Sequence, residues 1–401
     1  MNDAYICDYI RTPIGKYAGK LAQCRPDDLA ALTLRTLIER NPHLNASEID
    51  EIVLGCANQA GEDNRNVARM SSLLAGVPQE VPGMTVNRLC ASGMDAIATA
   101  TRAIKTQETQ LMIAGGVESM SRAPLVMPKP EQAFSRHAEL YDTTIGWRFI
   151  NPKLAAQFGA DSMPQTAENL AQNFGISRTA QDNFAFDSQR KYCDALERGF
   201  YQHEIVPVEV SVGKHQVETV TLDEHPRLTL PEKLSQLRPV VCSDGTITAG
   251  NASGVNDGAA ALLLASRSAL DLHHLTPMAR VVAYATSGVE PRVMGIGPAP
   301  AIQKVLSLSG LQLKDMDVIE INEAFSAQVL AVLKALNLNA TDPRINPNGG
   351  AIALGHPLGM SGTRIVGTAA RQLKESNGRY ALCSMCVGVG QGVAMIIESV
   401  N

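Results

Sequence analysis

One cysteine and one histidine combine residue types that perform nucleophilic catalysis with settings that could place them against a ligand. Cys90 lies where an apolar stretch gives way to a predicted helix that begins with Ser92 and Gly93. The N–H groups and positive dipole end of a helix lower the pKa of a thiol placed there. His356 lies in a run of glycines and prolines just ahead of a second predicted helix. Such a loop lets backbone approach a ligand and fixes the imidazole, as a base beside a cysteine requires.

Structural roles fit the same two residues when each is considered alone. A cysteine before a glycine-containing helix can be a small buried hydrophobic residue, and a histidine in a turn can simply support the turn. The other seven histidines lie in polar contexts, such as His273-His274 and Lys214-His215, and we expect them to be exposed. His356 is therefore the predicted partner of Cys90.

Cys383 and Cys386 form a C-x-x-C pair at the end of a predicted strand. No second pair of cysteines supplies further zinc ligands, and the pair does not open a helix as a redox pair would. Alternation along a regular strand sends the two thiols to opposite faces, so only one can point into a site. The glycines of 388–392 precede a strand-like run instead of a crossover helix, which disfavours a dinucleotide site. They favour close approach of a backbone N–H to a substrate oxygen.

Two further polar clusters follow predicted strands. Asn322 and Glu323 come directly after the apolar run 318–321, and residues 250–258 form a run of Gly, Asn, Asp and Ser. The carboxyl ends of strands are the usual ligand edge of an open α/β sheet. Taken alone, the first cluster is equally typical of a helix start and the second of a loop.

The elements that must position these residues alternate between short apolar strands and helical periods, which predicts an α/β fold. A strand at 4–9, a helix at 26–39 and a strand at 51–55 begin this pattern. Between about 121 and 248 the pattern changes to long polar connections and amphipathic helices such as 179–198. This segment is predicted to be an inserted lobe, after which strands and helices alternate again.

An internal repeat relates the two ends of the chain. Residues 92–105 align without gaps on 361–374, at a constant offset of 269 residues. Each copy is a predicted helix entered through Ser-Gly and followed by an apolar strand. The repeat indicates two similar halves related by a pseudo-twofold axis, and a site at their junction would take residues from both.

The composition limits the possible partners and compartments. The 401 residues are 45% apolar and 19% charged, with a mean hydropathy of -0.03, which is typical of a globular chain with room for more than one core. The net charge is -5 and no stretch collects five or six like charges, so we expect no nucleic-acid or membrane partner. The start lacks the features of a secretory signal, and eight scattered cysteines suit reduced thiols, so a cytoplasmic location is predicted.

Five separated motifs together resemble those of the thiolase family of acetyl-CoA acyltransferases. They are 87–93 (NRLCASG), 115–121 (GGVESMS), 322–325 (NEAF), 348–359 (NGGAIALGHPLG) and 386–392 (CVGVGQG). The resemblance runs from about Ala4 to the C-terminus and implies a duplicated thiolase fold with a layered α-β-α-β-α core. It implies three parts: an N-terminal half at 1–120 completed by about 249–272, an inserted loop domain at 121–248 covering coenzyme A, and a C-terminal half at 273–401.

The resemblance also implies a role for each site residue. Cys90 would be the nucleophile that accepts the acyl group, His356 its base, and Cys386 the acid/base at the α-carbon of acetyl-CoA. Asn322, acting through a water, and His356 would support the enolate oxygen, while the N–H groups of Cys90 and Gly388 would hold the tetrahedral oxyanion. Carbon–carbon cleavage needs a nucleophile at the 3-oxo carbon and a separate proton donor at the departing carbon, so one cysteine cannot serve both.

For coenzyme A, the resemblance places Ser253 near the pantetheine and Arg227 near the nucleotide, with Met163 and Met294 along the acyl-pantetheine tunnel. It implies no metal and no permanently bound cofactor, since coenzyme A is a substrate. Thiolases are usually homotetramers, so the same assembly is expected here.

Two features concern the acyl group. Ser162 stands where several short-chain thiolases have a histidine, which predicts an altered acyl pocket. The segment 142–152 resembles the subgroup that acts on 3-oxoadipyl-CoA in the degradation of aromatic compounds. Such an enzyme must accept a free carboxylate, and Arg148 is a candidate partner because guanidinium binds carboxylate through two hydrogen bonds. The alternative is that Arg148 is a surface residue of the covering loop.

The activity predicted from these features is thiolytic cleavage of a 3-oxoacyl-CoA through a Cys90 acyl-enzyme, with 3-oxoadipyl-CoA giving succinyl-CoA and acetyl-CoA. One alternative is a short-chain acetyl-CoA acetyltransferase. A condensing enzyme of the ketoacyl-synthase type typically has a histidine or asparagine at the second active-site position, where this chain has Cys386. A non-catalytic acyl-CoA or lipid carrier would have no reason to keep all three reactive groups.

Overall fold

A computed structural model describes residues 3–213 and 216–400, so the predicted exposure of Lys214 and His215 lies outside the described residues. The described strands are β1 (Tyr5–Arg11), β2 (Gly15–Lys16), β3 (Glu51–Gly55), β4 (Gly83–Val86), β5 (Leu111–Ser119), β6 (Leu125–Val126), β7 (Tyr141–Asp142), β8 (Val208–Ser211), β9 (Val217–Val220), β10 (Asn256–Ala265), β11 (Ala279–Gly288), β12 (Val318–Ile321), β13 (Tyr380–Val387) and β14 (Gln391–Ser399). The described α-helices are α1 (Pro26–Glu39), α2 (Val67–Leu74), α3 (Ser92–Lys105), α4 (Pro152–Phe158), α5 (Met163–Phe174), α6 (Arg178–Glu197), α7 (Pro231–Leu234), α8 (Arg267–Leu272), α9 (Pro298–Ser309), α10 (Ser326–Ala335), α11 (Ala351–Leu354) and α12 (Leu358–Ser376).

Local sequence signals explain where several elements begin and end. Helix α1 begins with Pro26, whose missing N–H costs nothing at that position, and Asp27 and Asp28 lie at the positive end of its dipole. Helix α9 ends before Gly310, which adopts a left-handed conformation with φ 72°. The predicted helix at 26–39 and strand at 51–55 are confirmed at both ends.

The main sheet has the strand order β12-β13-β14-β11-β1-β10-β5-β3-β4, and β2 pairs with β10. It consists of two half-sheets that meet where β1 and β11 pair, in the described residues, through Tyr5–Arg280 and Ile6–Ala279. The two halves share one connectivity. In the first, β3 is parallel to β5 and β5 is antiparallel to β10; in the second, β12 is parallel to β13 and β13 is antiparallel to β14.

The internal repeat extends from helices to strands. Strand β5 begins at Leu111 and β13 begins at Tyr380, which keeps the offset of 269 residues found between α3 and α12. The duplicated arrangement predicted from the sequence is therefore present in the fold.

Period-two alternation along the strands distributes side chains between a central core and two outer cores. Leu262 and its neighbours of the same face belong to the central core around α3 and α12, whereas Leu263 belongs to an outer core with α1 and α2. In the second half Met395 faces the central core and Ile396 an outer core with α9 and α10. Helices thus lie outside, between and again outside the two half-sheets, which is the predicted α-β-α-β-α layering.

The two central helices cross at glycines that occupy equivalent positions in the repeat. A Cβ atom at Gly93 of α3 would lie 2.6 Å from the carbonyl oxygen of Gly359, and one at Gly362 of α12 would collide with the backbone nitrogen of Met94. Only glycine allows this approach, which brings the starts of both helices, and the residues that precede them, to one place.

Residues 121–248 contribute α4 to α7 and the two small sheets β6–β7 and β8–β9. Helix α5 packs on α10, and α6 packs on α10 and α11 of the C-terminal half, whereas β8 and β9 pack against the outer core of the N-terminal half. The eight cysteines are all free thiols. Within 3–213 and 216–400, no helix has the length and apolar character needed to cross a membrane.

Candidate active site

Cys90 lies in a single 3-10 turn, Leu89–Ala91, immediately before α3. The backbone N–H groups of Gly388 and of Cys90 itself act to lower the pKa of the Cys90 thiol. Burial has the larger effect and raises the pKa to about 11. The lowered pKa predicted from the helix start is therefore wrong in its net direction, because desolvation of the thiolate outweighs the N–H groups.

His356 is buried, and its hydrogen bonds define its tautomer. Nδ1 lies 2.7 Å from Ser361 Oγ, and that hydroxyl donates its own proton to the Pro357 carbonyl at 2.8 Å. Nδ1 must therefore be the protonated nitrogen, which makes Nε2 the basic nitrogen of the ring. Burial, and secondarily the positive charge of Arg364, lower the pKa of His356 to about 3. The resting imidazole is neutral.

Cys386 lies at the end of β13, and its thiol is almost completely buried. Burial, and secondarily the charge of a Cys90 thiolate, raise the pKa of Cys386 above its ordinary range. Strand β13 packs against the Leu89–Ala91 turn that contains Cys90. Cys386 packs with Met294 and Phe325, whereas Cys383 belongs to the central core. The prediction that the C-x-x-C thiols face opposite sides of the strand is confirmed.

Asn322 is completely buried just after β12. Its Nδ2 lies 3.4 Å from Nε2 of His356. Its Oδ1 has no hydrogen-bond partner among the described residues. Because an unpaired buried acceptor is costly, this oxygen is suited to accept a hydrogen bond from water or substrate.

Of the residues predicted to contact coenzyme A, Met163, Met294 and Ser253 lie beside residues of this site, and Arg227 lies at the surface. Met163 begins α5 and packs with Met294 near Gly388. Ser253 is half-buried and its backbone N–H donates to the Ala324 carbonyl at 2.9 Å. Arg227 is exposed and its Nη2 donates to the Ala249 carbonyl at 2.8 Å.

Arg148 is half-buried and has no carboxylate within ion-pair distance in the part of the chain that the structure describes. Its Nη2 donates to Oδ1 of Asn58 at 3.3 Å, and Asn58 is held by Thr143 through a 3.2 Å hydrogen bond. The remaining N–H groups of the guanidinium are thus available to a ligand. Ser162 is exposed and caps α5 by accepting from the Gln165 N–H.

Two residues that hold His356 in place were not predicted from the sequence. Asn256 Oδ1 accepts the His356 backbone N–H at 2.9 Å, and Ser361 fixes the imidazole. The repeat carried a signal for Ser361, since it aligns with Ser92, whose hydroxyl donates to the Leu89 carbonyl at 2.7 Å beside Cys90. Asn256 lay in the polar run 250–258 but could not be distinguished from its neighbours there.

The expected exposure of two other histidines is wrong. His273 is buried and lies 3.2 Å from a carboxylate oxygen of Glu48. His225 is half-buried against Gly254, and burial lowers its pKa to about 4. Both lie in polar sequence, but packing of their surroundings encloses the rings.

Cys56, Asp63 and Glu118 are close enough together to suggest a metal site. Their carboxylates already accept backbone hydrogen bonds: Asp63 from Gln59 and Gly61, and Glu118 from three N–H groups. These hydrogen bonds hold the backbone of the surrounding loops in place, and we assign no metal to the cluster.

A thiol and a neutral imidazole precede equivalent helices of a duplicated α/β core, and these are the two groups that covalent acyl transfer through a cysteine requires. The models for Thiolase, N-terminal domain, and Thiolase, C-terminal domain, match residues 4–268 and 275–399, and the chain therefore belongs to the thiolase family.

Similar proteins cover the whole chain. The 3-oxoadipyl-CoA/3-oxo-5,6-dehydrosuberyl-CoA thiolase of Escherichia coli is 60% identical over 402 residues, covering 100% of both chains. A beta-ketoadipyl-CoA thiolase of Acinetobacter baylyi is 59% identical over 401 residues, again covering 100% of both. The crystal structure of the Bacillus anthracis acetyl-CoA acetyltransferase matches with a TM-score of 0.93 and 38% identity, over 100% of this chain and 99% of that chain.

Proposed function

We propose that this thiolase cleaves 3-oxoadipyl-CoA with free coenzyme A to give succinyl-CoA and acetyl-CoA. The observation that carries the proposal is the full-length identity of 59–60% to thiolases named for 3-oxoadipyl-CoA or beta-ketoadipyl-CoA. The structural relative named as an acetyl-CoA acetyltransferase is only 38% identical, so a short-chain acetyltransferase is not favoured.

In the proposed reaction the Cys90 sulfur attacks the 3-oxo carbon while Nε2 of His356 accepts the thiol proton. The bond between C2 and C3 then breaks, which leaves a succinyl thioester on Cys90 and the carbanion of acetyl-CoA. Cys386 donates its proton to that carbanion. The thiol of a second coenzyme A gives its proton to the Cys386 thiolate and attacks the thioester, which releases succinyl-CoA. The imidazolium of His356 returns its proton to the departing Cys90 sulfur, so that both cysteines end as thiols.

The electrostatic setting of the site supports this division of roles. The N–H groups of Cys90 and Gly388, which converge on the resting sulfur, can instead donate to the oxyanion that forms beside it. A neutral imidazole can accept the Cys90 proton, and the raised pKa of Cys386 keeps its proton in place until the carbanion forms. Asn322, with its unpartnered Oδ1, is proposed to hold a water against the enolate oxygen.

The binding residues and the assembly belong to the same proposal. Ser253 and Arg227 would contact the pantetheine and nucleotide of coenzyme A, and Met163 and Met294 would line the tunnel for the acyl-pantetheine. The lobe at 121–248 would cover coenzyme A between an N-terminal half at 1–120, completed by about 249–272, and a C-terminal half at 273–401. A homotetramer in the cytoplasm is the expected assembly and location.

Arg148 is proposed to bind the free carboxylate of the 3-oxoadipyl group. A half-buried guanidinium without an acidic partner among the described residues supports this role, because a carboxylate could occupy its unused N–H groups.

Replacement of Arg148 by methionine tests both the substrate and the residue. A charge-assisted hydrogen bond contributes about 1.5 to 3 kcal/mol, so Arg148→Met should lower kcat/KM for 3-oxoadipyl-CoA roughly ten- to hundredfold. Acetoacetyl-CoA, which lacks the carboxylate, should be cleaved at a nearly unchanged rate. Cleavage is followed by the loss of 3-oxoacyl-CoA enolate absorbance after addition of coenzyme A.

Arg136 offers a matched control, since it is an exposed arginine of the same segment. Arg136→Met should behave as the unaltered enzyme with both substrates. An equal fall for both substrates in Arg148→Met would show that the residue only supports the loop. An unaltered enzyme that prefers acetoacetyl-CoA would contradict the proposed substrate.

A further inference from the structure

The Glu118 side chain makes hydrogen bonds that no role described so far requires. Glu118 lies at the end of β5 and is only 1% exposed. Its Oε1 accepts the Asn58 N–H at 3.0 Å, and its Oε2 accepts the N–H groups of Ala57 at 3.0 Å and Gly359 at 2.9 Å. No cationic side chain of the described residues pairs with it. Backbone groups alone therefore hold this buried carboxylate.

The hydrogen bond from Gly359 connects Glu118 to the helix that follows His356. Gly359 lies in the first turn of α12, three residues after His356. The backbone there is packed without intervening side chains, since a Cβ atom at Gly359 would lie 2.7 Å from the Gly55 carbonyl oxygen, and one at Gly116 would collide with Gly359 itself. The Glu118 carboxylate is the side-chain group that accepts the backbone N–H of Gly359.

The hydrogen bonds from Ala57 and Asn58 connect Glu118 to the turn that contains Cys90. The Ala57 carbonyl belongs to the same peptide group as the Asn58 N–H, which donates to Glu118. This carbonyl accepts a hydrogen bond from Asn87 Nδ2 at 3.0 Å. Oδ1 of Asn87 in turn accepts the Leu89 N–H at 2.8 Å, and Leu89 directly precedes Cys90 with a left-handed φ of 46°. A single carboxylate thus connects the turn that carries the thiol with the helix start that follows the imidazole.

We propose that Glu118 is a positioning residue that fixes the Cys90 thiol and the His356 imidazole relative to each other. The inference rests on the proposed roles of those two residues. Without the carboxylate, the loop of Ala57 and the start of α12 lose their shared acceptor and can separate. Displacement of about 1 Å between reacting groups is enough to cost about a hundredfold in rate.

A purely electrostatic role makes the opposite prediction. The negative charge of Glu118 opposes ionisation of Cys90, so removing only the charge would favour the thiolate. Glu118→Gln removes the charge and places an amide NH2 against N–H donors. Glu118→Asp keeps the charge but withdraws the carboxylate by one methylene, so that it cannot reach both sides.

The test measures the rate at which iodoacetamide alkylates Cys90 at pH 8, with the modified residue located by peptide mass spectrometry, alongside kcat and KM. Positioning predicts that both variants slow alkylation and lower kcat about ten- to hundredfold, with KM for coenzyme A within about twofold. Because alkylation needs no acyl-CoA, this outcome does not depend on which substrate the enzyme prefers.

Asp63→Asn is the matched control, since Asp63 supports the same loop through Gln59 and Gly61 but does not bond to Gly359. This variant should alkylate within about threefold of the unaltered enzyme. Faster alkylation in Glu118→Gln with an unchanged Glu118→Asp would establish the electrostatic role instead. An equal fall in Asp63→Asn, or unchanged rates in both Glu118 variants, would also overturn the proposal.

Discussion

At the scale of single residues, the resting site contains neutral groups. The pKa of Cys90 is raised to about 11 and that of His356 is lowered to about 3, so the proton remains on sulfur until a substrate arrives. A preformed thiolate–imidazolium pair would instead require a lowered pKa of Cys90 and a raised pKa of His356. The reactive thiolate is therefore expected only as the proton moves to Nε2 during attack on the acyl carbon.

Cys386 offers a prediction that separates two steps of the reaction. Acylation of Cys90 by an acyl-CoA does not need Cys386, whereas cleavage and α-proton exchange do. Cys386→Ser should therefore still exchange acyl groups between thiols of coenzyme A while losing carbon–carbon cleavage and deuterium exchange into acetyl-CoA. Both activities can be followed by mass spectrometry of the products. Parallel loss of the two would show that Cys386 supports the structure.

Sequence alone identified Cys90, His356 and Cys386 as candidates because their residue types and glycine-rich surroundings are local features. It could not give the direction of the Cys90 pKa, which depends on desolvation by the whole fold. It also missed Glu118, since its three N–H partners come from positions distant in sequence. Long-range hydrogen bonds leave no pattern in the chain around either partner.

At the scale of elements, the crossing of α3 and α12 positions the site. The gapless repeat predicted both helices and their equivalence, and the structure confirms it. The repeat did not predict that β1 and β11 join the half-sheets through two residue pairs. The alternation of side chains along each of these strands is the same whether or not the other strand lies beside it.

The helix crossing predicts a large stability difference between two glycine substitutions. Gly93→Ala places a methyl group 2.6 Å from a backbone oxygen of the facing helix, where neither backbone can shift freely. We expect a loss of about 3 kcal/mol in the free energy of unfolding, the upper end of overpacking costs. Gly288→Ala meets no atom within 4 Å and should change it by less than about 0.5 kcal/mol. Urea unfolding of both variants measures the difference, and similar losses would contradict the close crossing.

At the scale of the whole molecule, burial of uncharged histidine makes stability depend on pH. Unfolded His356 binds a proton below its ordinary pKa of 6.5, while the folded residue does so only near about 3. The contribution of His356 is therefore lost progressively as pH falls below 6.5, by about 1.4 kcal/mol per pH unit. The pKa values of Glu118 and Glu320 are raised to about 7 by burial, and these groups change stability in the opposite direction.

A comparison with His356→Asn isolates this contribution, because the two glutamates remain in both proteins. Between pH 7 and pH 5 the unaltered protein should lose about 2 kcal/mol more unfolding free energy than the variant. Urea denaturation at the two pH values provides the measurement. Parallel pH dependences would mean that His356 has the same pKa in the folded and the unfolded protein.

The central claim is that Cys90 carries the acyl group left by cleavage of 3-oxoadipyl-CoA. The most direct measurement is peptide mass spectrometry of enzyme mixed with 3-oxoadipyl-CoA in the absence of free coenzyme A and quenched in acid. We expect one succinyl group, bound to Cys90, with release of acetyl-CoA, and neither product in Cys90→Ala. A succinyl group on another residue, or acetyl-CoA release by Cys90→Ala, would contradict it.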